Sequence, residues 1–243
     1  MSHDEFSRSA DRELTALEER RVLRLLDERV RSRKPLAYLI HEAWLCDHRF
    51  YVDERVLVPR SFIAELLRER LRPWVTRPVG RALDLCTGSG CLAILVVLTF
   101  RGATVDATDV SRPALAVARK NVGLYRLGRR VRLARADLFP ASRKPYDLIV
   151  ANPPYVDAVG MRKLPAEYRR EPRIALAGGR DGLSFVRRIL EGARGFLNPG
   201  GWLVVEAGHN RRTVERAYPK LPFIWAETSA GDDCVFLLRR EDL

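Results

Sequence analysis

The chain has 243 residues, 47% of them apolar, which suits one α/β core of the size single domains commonly reach (about 200–250 residues) plus a small appended element. Its longest uncharged apolar run, residues 91–100, falls well short of the roughly 20 residues a membrane-spanning helix needs. The acidic opening Met1-Ser2-His3-Asp4-Glu5 fits neither a secretory signal nor a transit peptide, so a cytosolic location is expected. A formal charge of +12 suggests an anionic partner such as RNA. However, 38 of the 43 basic residues are Arg, and pairs such as Arg20-Arg21, Arg129-Arg130 and Arg211-Arg212 are spread along the chain, so genomic codon composition is the competing explanation. Cys46, Cys86, Cys91 and Cys234 form no CxxC pair, and His3, His41, His48 and His209 show no ligand spacing; neither a disulfide nor a structural zinc is expected.

Between residues 7 and 30, Leu14, Leu17, Val22, Leu25 and Leu26 recur near helical spacing among charges, predicting an amphipathic helix packed on a partner surface. Lys34-Pro35 ends it. Residues 43–52 read as two short strands about a polar turn at Asp47-His48, a β-hairpin. A second helix is expected over 61–71, and Pro73 and Pro78 suit a linker, so that residues 1–75 form an N-terminal module and 76–243 the main domain. Trp44, Trp74, Trp202 and Trp225 are read as packing residues rather than an aromatic cage.

From residue 81 onward short apolar runs alternate with helical patterns, the rhythm of a doubly wound sheet. Strands are predicted over 82–85, 104–107, 131–134, 146–151, 202–206, 223–227 and 233–238. The last two are separated only by a turn, Thr228-Ser229-Ala230-Gly231-Asp232, so the final strand must run antiparallel to its neighbour. A seven-stranded, mostly parallel α/β sheet with an antiparallel C-terminal hairpin resembles the Rossmann-like class I methyltransferase fold.

Three strand ends carry candidate cofactor residues. In Leu83-Asp84-Leu85-Cys86-Thr87-Gly88-Ser89-Gly90-Cys91 a strand breaks into a glycine turn and opens a helix, where Gly88 and Gly90 let a ligand approach the backbone and a helix N-terminus offers free N–H groups. An ordinary strand-to-helix turn and a dinucleotide fingerprint share this pattern. Asp109 follows about 20 residues later at the carboxyl edge of the next strand, placed to accept ribose hydroxyls or to cap the helix near Ser111-Arg112-Pro113, which Ser111 could do instead. Asp137 ends the third strand, placed to accept an adenine amino group or to cap a loop, with Leu138 or Phe139 lining the ring.

The most specific signal is Asn152-Pro153-Pro154-Tyr155 at the end of the fourth strand. Consecutive prolines fix φ and remove N–H donors, so the turn presents carbonyl oxygens without a competing donor. A planar amide or amine nitrogen carries N–H groups that need acceptors when buried. The side-chain oxygen of Asn152 and the carbonyl of Pro153 can accept two, leaving the nitrogen lone pair aimed at a methyl donor, with orientation as the main catalytic contribution. The ring of Tyr155 would cover the planar group and exclude water. A proline turn without chemistry is the alternative for the motif alone, and a flipped adenine or cytosine would satisfy the same geometry as an amide.

Together with residues 38–44 (YLIHEAW), 51–61 (YVDERVLVPRS), Glu171-Pro172 and 177–183 (AGGRDGL), these motifs resemble the HemK/PrmC/PrmB family of protein N5-glutamine methyltransferases over nearly the whole chain. The likeness is greatest to the PrmB branch, which acts on ribosomal protein L-three. The resemblance implies S-adenosyl-L-methionine held by Thr87, Gly88, Ser89, Gly90 and Asp109; Asp84, Cys86, Asp137, Leu138 and Asn152 are further cofactor candidates from their places at the strand ends. It also implies a target glutamine of a ribosomal protein bound by Asn152, Pro153, Pro154 and Tyr155, and an N-terminal module that recognises that substrate; the net charge adds the expectation of an assembling particle and rRNA contact. Arg60 is read as touching cofactor or target, or as ion-paired to Glu65 or Glu171. Two departures stand out: the chain looks shorter at its N-terminus than that branch, and Val205-Glu206-Ala207-Gly208-His209-Asn210 differs from a glycine-asparagine-serine ending. The remaining alternatives are a release-factor glutamine methyltransferase, an exocyclic-amine methyltransferase acting on nucleic acid, and a cofactor-binding scaffold for ribosome assembly without turnover.

Overall fold

A computed structural model describes residues 12–141 and 144–243. Helix α1 (Ala16–Ser32) begins at a capping box: Thr15 Oγ1 accepts from Glu18 N at 3.3 Å while the Glu18 carboxylate accepts from Thr15 N at 2.9 Å. This cap starts the helix well after residue 7; the expected residues 7–11 lie outside the described ones. The expected packing of its apolar stripe is not found among the described residues. No residue of α1 is buried, Leu17, Leu26 and Val30 are exposed, and ion pairs from Arg29 and Arg33 to Glu167 link the helix to the main domain.

After a short helix α2 (Leu36–Ile40), strands β1 (Ala43–Leu45) and β2 (His48–Phe50) form the hairpin. Its turn sits one residue earlier than expected. Leu45 pairs with His48, which leaves Cys46 and Asp47 as the central residues, both at positive φ (46° and 62°) as a two-residue hairpin loop requires. Helix α3 (Ile63–Arg68) is shorter than predicted because Arg70 and Leu71 turn left-handed and Leu71 N bonds back to Leu66 O, tucking the Leu71 side chain into the core.

The sheet contains β3 (Arg81–Leu85), β4 (Thr104–Asp109), β5 (Val131–Arg135), β6 (Tyr146–Ala151), β7 (Leu197–Glu206), β8 (Ile224–Thr228) and β9 (Gly231–Arg239), in the order β5-β4-β3-β6-β7-β9-β8. β9 inserts between β7 and β8 and is antiparallel to both; the other pairings are parallel. Alternation along the strands sends side chains to two cores. Ala82, Leu148, Val150 and Val204 join one cluster with α3 and α4 (Cys91–Thr99), while Leu83, Ile149, Leu203 and Val205 join another with α7 (Ser184–Ala193). Helices α5 (Arg112–Leu124), α6 (Ala158–Lys163) and α8 (Arg211–Ala217) complete the layers.

The N-terminal segment is continuous with this core. Phe50, Ile63, Leu67, Leu71 and Val75 share one buried cluster with sheet residues on the other side of the 75/76 boundary. Asn121, fully buried on α5, accepts from Tyr51 N at 2.8 Å and donates to Tyr51 O and Ser89 O, tying the hairpin's exit to the glycine turn.

Candidate active site

The chain runs β3-β4-β5 to one side of the sheet and β6-β7 to the other, so β3 and β6 flank the point where strand order reverses, the place where open α/β sheets bind ligands. Register brings the motifs together there. Leu85 is level with both Thr108 and Ala151, so Cys86–Gly88, Asp109 and Asn152 emerge side by side. A cavity at these strand ends is lined by Asp84, Cys86, Thr87, Gly88, Ser89, Asp109, Asp137, Leu138, Asn152 and Pro154, with Val58, Pro59 and Arg60 from the N-terminal segment and Ile174 and Phe185 from beyond β6.

Two of its carboxylates show how it would receive a ligand. Asp84 Oδ2 accepts from Thr87 Oγ1 at 2.5 Å and Ala93 N at 3.1 Å, whereas the buried Oδ1 has no partner among the described residues. Burial pushes the Asp84 carboxyl up to about 7, a setting that a neighbouring ammonium would relieve. Asp109 accepts from Gly88 N at 2.9 Å and Ser111 N at 2.8 Å, and burial raises its pKa as well. The helix-capping role falls to Ser111, whose Oγ accepts from Ala114 N. An amine, a ribose and a planar base, the parts of S-adenosylmethionine, therefore fit the acceptors and walls present.

Not every expected residue lies on this cavity. Gly90 is off it: φ is +81°, and a Cβ would sit 3.2 Å from Ala118 Cβ, so the glycine serves the packing of the turn on α5. Asp137 lines the cavity but is half-turned to Arg188, 2.8 Å away. Leu138, at φ +66°, lines it, whereas Phe139 stacks on Phe196 at 4.6 Å, and Phe185 supplies the aromatic wall instead. Pro153 is buried away from the cavity, and Tyr155 faces a second, larger one.

Asn152 and Tyr155 thus stand between two cavities that share Pro59, Arg60 and Ser61. Asn152 Nδ2 donates to Arg60 O at 3.3 Å, which orients the amide and leaves Oδ1 without a protein partner among the described residues. Arg60 is fixed in turn by an ion pair to the buried Glu171 at 2.8 Å and by lying 4.6 Å over the Tyr168 ring; Glu171 also accepts from Val58 N. Glycines shape the backing of Tyr155. A Cβ on Gly178 would fall 2.7 Å from Tyr155 Cα, on Gly182 2.5 Å from Tyr155 O, and on Gly208 2.6 Å from the ring.

Sequence reasoning missed Glu206. At the end of β7 it is buried, accepts from Ser61 Oγ at 2.6 Å and Phe62 N at 2.9 Å, and receives the Tyr155 hydroxyl at 3.4 Å. Burial raises its pKa to about 7. An acid at the carboxyl end of a central strand was the signal that could have found it. The fold also gathers His209, Asp233 and Cys234, with ligand atoms within 4.8 Å of one another, a proximity that spacing along the chain did not suggest; all four cysteines are free thiols.

The Methyltransferase small domain family model matches residues 63–166. A methyltransferase from Pyrococcus furiosus shares the fold with a TM-score of 0.58 at 19% identity, over 91% of this chain and 98% of that one. The hMettl16 catalytic domain does so with a TM-score of 0.60 at 18% identity, over 78% and 74%. Fold and site define a class I methyltransferase, an enzyme class that takes its methyl group from S-adenosylmethionine. Two curated relatives are more specific. A protein of Neisseria meningitidis is 54% identical over 96% of this chain and 78% of its own length, and one of Bordetella pertussis is 56% identical over 93% and 77%. Both are named ribosomal protein uL3 glutamine methyltransferase, and the chain belongs to that family.

Proposed function

We propose that this enzyme methylates the side-chain amide nitrogen of a glutamine in ribosomal protein uL3, the L-three protein, in the cytoplasm. The observation that carries this reading is Asn152, which lines the first cavity beside the Pro59–Ser61 wall shared with the second and whose Oδ1 has no protein partner among the described residues. Asp84, Gly88, Asp109, Asp137 and Leu138 would hold S-adenosylmethionine, which supplies an electrophilic methyl on a sulfonium.

An amide nitrogen is a weak nucleophile because its lone pair is delocalised, so the protein's task is orientation and the exclusion of water. Asn152 Oδ1 accepts one amide N–H and a carbonyl of the Pro153-Pro154 turn the other, which fixes the plane of the amide. Tyr155, anchored through its hydroxyl to Glu206 and packed on Gly208, closes the opposite side. Once methylated, the nitrogen is acidic enough to lose its proton to solvent, so no dedicated base is required.

A basic enzyme and a basic ribosomal protein repel each other at long range. Methylation on an assembling particle, with rRNA between the two, removes that penalty. Mass spectrometry of ribosomal proteins and release factors from cells with and without the gene tests the assignment: a glutamine methyl on uL3 that vanishes with the gene is expected. A methyl lost from a release factor alone, or from neither protein, contradicts it.

A further inference from the structure

The second cavity is a groove of about 1030 Å³ that runs from Tyr155 and Glu206 between the β-hairpin, helix α3 and the end of β8. Its charge runs against that of the molecule. On a chain of net charge +12 its walls carry Glu65, Glu69 and Glu227, with the buried, partly protonated Glu206 at one end, against Arg60 and Arg68. Both arginines are already engaged, Arg60 by Glu171 at 2.8 Å and Arg68 by Asp47 at 3.6 Å. Glu65 receives Ser229 N and Oγ, and Glu206 receives Ser61 and Phe62. The side-chain carboxylates of Glu69 and Glu227, both exposed, have no hydrogen-bond or ion-pair partner among the described residues.

The groove is continuous with the acceptor site through Pro59, Arg60 and Ser61, and Trp44, 43% exposed, offers an apolar shelf along it. A chain lying in the groove could therefore deliver one side chain past Tyr155 to Asn152. An acidic wall repels phosphate, which disfavours a polynucleotide here. It attracts Lys and Arg, the residues abundant in protein segments that meet RNA in a ribosome.

Building on the glutamine reading above, we propose that this groove binds the polypeptide flanking the target glutamine and selects Lys/Arg-rich flanks through Glu69 and Glu227. The pairs formed are exposed and salt-sensitive, so they act on substrate affinity rather than on the chemical step.

The test uses a labelled synthetic peptide with a central glutamine flanked by Lys and Arg, and a control with serines in their place. Anisotropy and methyl transfer are followed with the wild type and with the double variant Glu69→Lys, Glu227→Lys. The wild type should bind the basic peptide roughly tenfold tighter than the control. The double variant should lose that preference while S-adenosylmethionine affinity and melting temperature stay the same. Equal affinity of the two proteins for the basic peptide, or no binding by the wild type, overturns the groove assignment. So does a short single-stranded RNA that displaces the peptide with higher affinity. Charge-dependent binding without a methyl on the glutamine leaves the groove standing and overturns the glutamine reading; transfer to glutamine with a KM unmoved by charge reversal does the opposite.

Discussion

Replacing Glu206 by Gln isolates the energetic consequence of burying a carboxylate behind Tyr155. In the folded chain this group is held by Ser61 Oγ and Phe62 N, yet burial outweighs those bonds and raises its pKa from 4.5 to about 7. The folded state therefore retains the proton over a range in which the unfolded chain has lost it. Its stabilising contribution is complete below about pH 4.5 and declines as pH rises toward 7, where the folded carboxyl also ionises. Raising the carboxyl to about 7 corresponds to on the order of 3 kcal/mol. Glutamine keeps the acceptor oxygen for Ser61 and Phe62 and does not titrate. Urea denaturation of both proteins from pH 5 to pH 8 should show the wild type losing stability relative to Glu206→Gln at about 1.4 kcal/mol per pH unit up to pH 7, then no further change. A difference that is flat with pH, or one in which the wild type gains with rising pH, would refute the account of this residue.

Asp109→Ala removes the carboxylate expected to accept ribose hydroxyls. Since charged hydrogen bonds contribute about 1.5–3 kcal/mol, titration calorimetry should show S-adenosylmethionine affinity falling roughly 10- to 100-fold, and an unchanged Kd contradicts that role. Arg60→Ala leaves the buried Glu171 carboxylate with only Val58 N, while the main-chain carbonyl that supports Asn152 stays in place. Stability should drop by about 1–3 kcal/mol in chemical denaturation; a variant as stable as the wild type contradicts the role given to the Arg60–Glu171 pair.

The sheet was legible because its apolar runs are short, bounded and separated by helix-like segments. The seven predicted strands correspond to the seven observed, and the turn before β9 dictated the antiparallel ending. The motif positions were legible for the same reason: the glycine turn and Asn152 directly follow a strand, and Asp109 ends one. Less visible was anything set by contact between distant segments. Nothing along the chain marks Asn121 as the bridge between Tyr51 and Ser89, or Glu206 as the partner of Ser61 and Tyr155. The glycines at 178, 182 and 208 owe their identity to the backbone and ring of Tyr155, which only the folded chain brings near. The amphipathic pattern of α1 correctly gave a helix, but periodicity alone does not say whether an apolar stripe is covered, and among the described residues nothing buries it.

Asn152 is proposed to present a glutamine amide for methylation. Purified enzyme, S-adenosylmethionine and uL3, free or in an assembling particle, can be combined and the product fragmented by tandem mass spectrometry, with Asn152→Ala run in parallel. One methyl on the side-chain nitrogen of a glutamine, absent with Asn152→Ala although that variant binds S-adenosylmethionine within a few-fold of wild type, is the predicted result. A methyl on lysine, arginine or a nucleobase, or transfer that survives Asn152→Ala, would contradict it.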